Sequence, residues 1–121
     1  MRVYFDENFS THLTAGFDCF QKGRKRESIE VFHITQDFAQ GCADEDWIPG
    51  VAKKHGCVIT QDLNIHRRKY QWELCKLHKV GFFFFDQPKK RPYSYWDWID
   101  QVFKRWPAIK DISLNRPRPF G

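Results

Sequence analysis

A chain of 121 residues, 41% hydrophobic and 17% aromatic, carries enough apolar side chains for one domain with a modest core, which excludes a disordered chain. The longest apolar run, residues 80–85, is too short to span a bilayer, and the first residues read as a strand followed by acids rather than as a signal peptide. The expectation is therefore a soluble cytoplasmic protein with no membrane partner. The net charge of +5 is concentrated in basic runs at residues 22–26, 66–69, 89–91 and 116–118, a distribution that suits a polyanion, although any one run is equally explained as a solvated face.

Residues 2–5 read as a buried strand. Residues 10–21 read as a helix capped by Ser10, with Leu13, Phe17 and Phe20 on one face and Gly23 as its stop. Residues 29–34 make a second strand with Val31, Phe32 and Ile34 as its apolar body. After a loop through Gly41 and Cys42, Asp44 is placed to cap a helix bearing Trp47, Ile48, Val51 and Ala52, with Pro49 in its first turns and an end at His55-Gly56. The unbroken apolar run of residues 57–60 suits a third strand covered on both faces.

Residues 66–78 are helical in pattern, with Tyr70, Leu74 and Leu77 at helical spacing, and residues 80–85 form a fourth strand. A basic, proline-punctuated loop at residues 88–92 leads to a last helix over residues 95–106, with Trp98, Ile99, Val102 and Phe103 facing inward and Pro107 ending it. Residues 112–114 are a candidate edge strand before a Pro/Arg-containing tail. Cys19, Cys42, Cys57 and Cys75 have no CxxC spacing, so they read as free thiols. The alternation predicts a single α/β domain over residues 1–121: a three-layer α/β/α sandwich with a mainly parallel four- or five-stranded sheet in the order 2-1-3-4, and a basic tail from position 107.

That strand order gives the acidic residues a meaning. Asp6 and Glu7 follow the first strand and Asp62 follows the third, so neighbouring strand ends deliver carboxylates to the crevice where ligands bind in such sheets. Asp44, Glu45 and Asp46 at a helix start face the same crevice. Such a cluster repels itself unless a cation holds it, and Mg2+ or Mn2+ takes a few carboxylates plus water. On this reading Asp6 and Asp62 are metal ligands, Asp44, Glu45 or Asp46 holds a second ion or orients a water, and Thr60 bonds a ligand carboxylate from behind. Arg67 and Arg68 are placed to grip phosphate, with Lys69 as a less directional charge. The plainer alternatives are a turn role for Asp6 and a capping role for Asp44.

Three motifs in order resemble a known family. The apolar-Asp6-Glu7-Asn8-x-Ser10 start, the Asp44-Glu45-x-Trp47-Ile48-Pro49 segment and Val58-Ile59-Thr60-x-Asp62-x-x-Ile65-x-Arg67-Arg68 are similar to compact PIN-like proteins related to VapC toxins, over most of the first 85 residues. The resemblance implies a Mg2+- or Mn2+-dependent ribonuclease, the toxin of a toxin-antitoxin pair. Its first-strand acid falls on Asp6, its helix-start acid on Asp44 with Glu45 or Asp46 in support, and its Thr-x-Asp on Thr60 and Asp62. Many PIN domains carry a further acid just after that motif, where this chain has Leu63-Asn64; Asn64 offers an amide oxygen instead, and the number of ions stays open. The catalytic set expected is Asp6, Asp44, Asp46 and Asp62, with Glu7, Thr60 and Asn64 in support. RNA and a small cognate antitoxin are the implied partners, and the aromatic last helix leaves room for a homodimer. Rival functions are a catalytically inactive nucleic-acid- or protein-binding module of the same fold and a phosphoacceptor signalling domain.

Overall fold

The computed structural model describes residues 1–61 and 65–120. Four short strands, β1 (Arg2–Phe5), β2 (Glu30–His33), β3 (Gly56–Thr60) and β4 (Gly81–Phe84), form one sheet in the order β2-β1-β3-β4 with every pair parallel. Between and after them run α1 (Thr11–Lys22), the single turn α2 (Ile34–Asp37), α3 (Asp44–Lys53), α4 (Ile65–His78) and α5 (Tyr95–Asn115).

Side chains alternate across a strand, so the sheet feeds two cores. Val3, Phe5 and Ile59 pack against Leu13 and Phe17 of α1 and against Trp98, Val102, Trp106 and Ile109 of α5. Tyr4 and Val58 point the other way, into Ile34 of α2, Trp47, Ile48 and Val51 of α3, and Cys75 of α4. All five residues of β3 are buried, the signature of a strand with a layer on each face. Aromatic contacts such as Phe5 with Phe9, edge-on at 5.0 Å, and Phe5 over Trp106 at 6.2 Å tie α1, α5 and the sheet together. The expected three-layer α/β/α architecture and strand order are those observed.

The last third of the chain departs from expectation. Pro107 does not end α5, which runs on to Asn115, so residues 112–114 are helical and add no edge strand. Proline keeps a helical φ and forfeits one amide, at a cost of about 3 kcal/mol in a helix interior. The inward face of α5 continues through Trp106, Ile109 and Ser113, and this packing outweighs that loss. Phe103 faces solvent rather than the core, as do Phe20 and Leu77. The outer edge of β4 is met instead by Phe120, whose carbonyl accepts from the Phe82 N–H at 2.8 Å.

Two boundaries also moved. Ile34 opens α2 instead of closing β2, because the His33 ring caps that turn. His55, at φ 54°, makes the left-handed turn after α3, and Gly56 already belongs to β3. A Cβ at Gly56 would lie 2.9 Å from Val51 and 3.0 Å from the Tyr4 ring, so close packing requires the glycine there. All four cysteines are free. Among the described residues no helix is long and apolar enough to cross a membrane.

Candidate active site

β1 is flanked by β2 on one side and β3 on the other, so the crevice beyond its C-terminal end is where the strand order reverses. Asp6 sits there. Its N–H still bonds the Ile59 carbonyl at 3.0 Å, extending the ladder by one residue before the chain turns away. The turn is held by the aspartate itself: the Asn8 N–H donates to Asp6 Oδ1 at 3.1 Å, and the Phe9 N–H to the Asp6 carbonyl at 3.2 Å. Thr60, the last residue of β3, donates its hydroxyl to Asp6 Oδ2. Asp6 is thus a buried carboxylate oriented from two strands.

Asp44 does not cap α3. Ala43 occupies the cap position without a side-chain bond, and Asp44 is the first helical residue. Its carboxylate turns inward, where Oδ1 accepts from Trp47 Nε1 at 2.9 Å, Gln71 Nε2 at 3.3 Å and Arg67 Nη2 at 3.4 Å. Arg67 and Gln71 stand one turn apart on α4, so the packing of α3 on α4 builds this arrangement. Trp47 is buried and serves the carboxylate through its indole N–H.

Asp6 and Arg67 lie on the walls of one narrow cleft, together with Glu7, Asn8, Trp47 and Gln71. Its interior of about 40 Å³ is room for one or two waters. Glu7 Oε1 accepts from the Gly41 N–H at 2.7 Å, which ties the turn after β1 to the loop before α3. The cleft is electrically negative at Cys42: burial pushes that thiol up, and the charges of Asp46, Glu7 and Asp44 push it further.

Other expected residues stand apart. Glu45 and Asp46 are exposed and are not among the described residues lining the cleft; Glu45 takes a hydrogen bond from Tyr70 Oη at 2.5 Å, which lowers its pKa. Arg68 binds Asp86 at 2.7 Å and lies over the Phe84 ring at 4.6 Å, so it is engaged beside β4. Lys69 is exposed. Asp62 and Asn64 lie outside the described residues, and among the described residues no group of three or more His, Cys, Asp or Glu side chains could hold a metal ion.

Sequence reasoning missed Gln71 and the part played by Asn8. Gln71 is 2% exposed, a polar residue four positions after Arg67 on an otherwise inward face next to Cys75, and that misplaced polarity was the available signal. Asn8 was visible in the first motif, and an Asx turn is a standard use of Asp before such a residue.

A model of the PIN-like domain matches residues 1–87, and the chain belongs to that family, a nuclease-type fold whose members generally work with divalent metal ions. No curated protein sequence and no solved structure matches the chain. The donors present fit such an ion. They are the carboxylate of Asp6 and the amide Oε1 of Gln71, which is buried and has no hydrogen-bond partner among the described residues, both on the cleft wall, with the Asp44 carboxylate bonded to Trp47, Gln71 and Arg67 of that wall. Hard divalent cations prefer oxygen donors of this kind.

Proposed function

We propose that this protein is a metal-dependent endoribonuclease that hydrolyses RNA phosphodiesters, acting as the toxin of a toxin-antitoxin pair. The observation that carries the reading is a buried carboxylate, Asp6 past β1, on the wall of a cleft at the switch point of a parallel sheet, with a second buried carboxylate, Asp44 at the start of α3, bonded to Trp47, Gln71 and Arg67 of that same wall. Asp6 and Asp44, joined by Asp62, would hold Mg2+ or Mn2+. When bound there, the cation supplies charge against a non-bridging phosphate oxygen and acidifies a water.

The chain's own residues do the rest. Thr60 and the Asn8 N–H hold Asp6 in one orientation, so its charge needs no reorganisation when substrate arrives. Arg67 is about half exposed at the cleft and can exchange its 3.4 Å contact with Asp44 for a substrate phosphate. Lys69 and the basic loop at residues 89–91 supply a field that draws in a polyanion. Glu45 and Asp46, exposed beside Asp44, contribute negative charge at the rim. An antitoxin is the partner this activity requires in a cell.

The Arg67–Asp44 contact also favours a second reading, in which a guanidinium takes the place of the cation and the protein binds nucleic acid without cutting it. Incubating a mixed single-stranded RNA pool with the protein, with and without Mn2+, separates the two. The nuclease reading expects cleavage that stops with chelator; RNA retained but uncut at every metal concentration overturns it.

A further inference from the structure

A second hollow of about 200 Å³ shares a wall residue with the acidic cleft. Asn8 lines both, so the two adjoin at that residue. The floor of this hollow is Phe9 just before α1, Leu13 in its first turn and Trp98 of α5, all buried. Ser10 and Gln61 add polar groups at its wall, and the Gln61 amide donates to the Asn8 carbonyl, bracing that shared residue. Tyr95 also lines it, 46% exposed, with the Trp96 ring 5.4 Å away and 73% exposed.

Tyr95 at the wall of the hollow and Trp96 beside it are both left largely in water. The residues preceding them in the chain include Lys89, Lys90 and Arg91, all exposed. An apolar floor, a few amide and hydroxyl groups at the wall, aromatic rings at the rim and cationic chain nearby are the components of a site for an unpaired nucleobase on a charged backbone. The volume lies below the roughly 300–1,000 Å³ of sites for whole small molecules, and suits a single planar ring.

We infer that this hollow is a base-binding subsite: the nucleotide next to the phosphate held at Asp6 turns its base across Asn8 and stacks it on Tyr95. This rests on the RNA reading above and deepens it, since the subsite makes single-stranded RNA the substrate form; a base kept in a duplex cannot enter. Stacking supplies affinity with little sequence preference, and the polar groups of Ser10 and Gln61 at the wall are where preference among bases would arise.

The test measures binding of a short single-stranded oligoribonucleotide to the full chain in chelator, so that nothing is cut, using a series in which each base in turn is replaced by an abasic sugar. With the unmodified protein, one abasic position is expected to weaken binding by roughly five- to 150-fold and its neighbours by less. Tyr95→Ala is expected to weaken the intact strand by a similar factor and to remove the discrimination at that position, whereas Tyr95→Phe keeps both. Trp96→Ala provides a second variant on an exposed side chain. Equal affinity across the abasic series, or unchanged affinity in Tyr95→Ala, overturns the subsite and leaves the aromatic rim to a protein partner. Metal-dependent cleavage by the same preparation keeps the nuclease reading intact in that event; absence of both binding and cleavage overturns both.

Discussion

The Thr60 hydroxyl donates to Asp6 Oδ2 across 54 residues of sequence, joining the ends of β3 and β1 at the point where the strand order reverses. Both side chains are buried, so the bond cannot be replaced by bulk water without opening the crevice. Thr60→Val keeps the shape and removes the donor. The expected result is a folded protein destabilised by about 1–3 kcal/mol in urea melts, with metal-dependent cleavage reduced roughly 10- to 100-fold. Thr60→Ser, which keeps the hydroxyl, is expected to retain most activity.

Asp44 is the shared acceptor for an indole, an amide and a guanidinium. Asp44→Ala leaves Trp47 Nε1 and Gln71 Nε2 buried without an acceptor, and a cost of about 2–5 kcal/mol follows from two such groups. Asp44→Asn retains a carbonyl oxygen for them and is expected to fold nearly normally while losing metal affinity. Thermal melts with and without Mn2+ distinguish the outcomes: the asparagine variant melts near the parent without metal and gains less from its addition.

How legible all this was depends on the kind of interaction. Asp6 and the strands themselves followed from periodicity, since buried parallel strands write continuous apolar runs and carboxylates past their ends stand out, whereas their order in the sheet is a matter of topology that no local pattern encodes. Asp44 was visible as an acid before a helix, but its inward turn was not, because the choice between capping an amide and meeting Trp47 and Gln71 is decided by how α3 packs on α4. The same holds for Arg68, whose partner Asp86 and ring Phe84 lie 16 to 18 positions away and share no local pattern. Pro107 reads locally as a helix stop, whereas the inward spacing of Trp106, Ile109 and Ser113, which tertiary packing rewards, carries α5 past it.

The tail gives a prediction away from the cleft. A Cβ at Gly81 would stand 2.2 Å from the Phe120 ring, which cannot yield without leaving its seat. Gly81→Ala is expected to displace the tail from the edge of β4, costing about 1–3 kcal/mol and raising amide exchange at Phe82. Cleavage kinetics are expected to stay close to the parent's, because the contact lies at the opposite end of β4 from the cleft.

Tyr4 sets an alkaline limit on stability. Burial, reinforced by its hydrogen bond to Asp37 at 2.5 Å, pushes the phenol from 10.0 up to about 12. The folded state therefore holds this proton more tightly than the unfolded chain. The contribution is fully present below the unfolded pKa near 10 and is lost as pH climbs toward 12, by as much as about 2.7 kcal/mol. Urea melts across that window are expected to show the decline, and Tyr4→Phe is expected to flatten it; an equally steep decline in Tyr4→Phe would assign it to other groups.

The central claim is that Asp6 and Asp44, joined by Asp62, hold a divalent cation with which the protein cuts RNA. The most direct measurement is cleavage of a mixed single-stranded RNA pool by the parent, Asp6→Asn and Asp62→Asn proteins, each with Mn2+, with Mg2+ and with excess chelator, beside thermal melts of all three. Asparagine keeps the size and one oxygen and removes the charge that offsets the ion. The account predicts cleavage by the parent only with metal, and none by either variant although both melt cooperatively. Full activity in a well-folded Asp6→Asn or Asp62→Asn protein, or parent activity that persists in chelator, would contradict it.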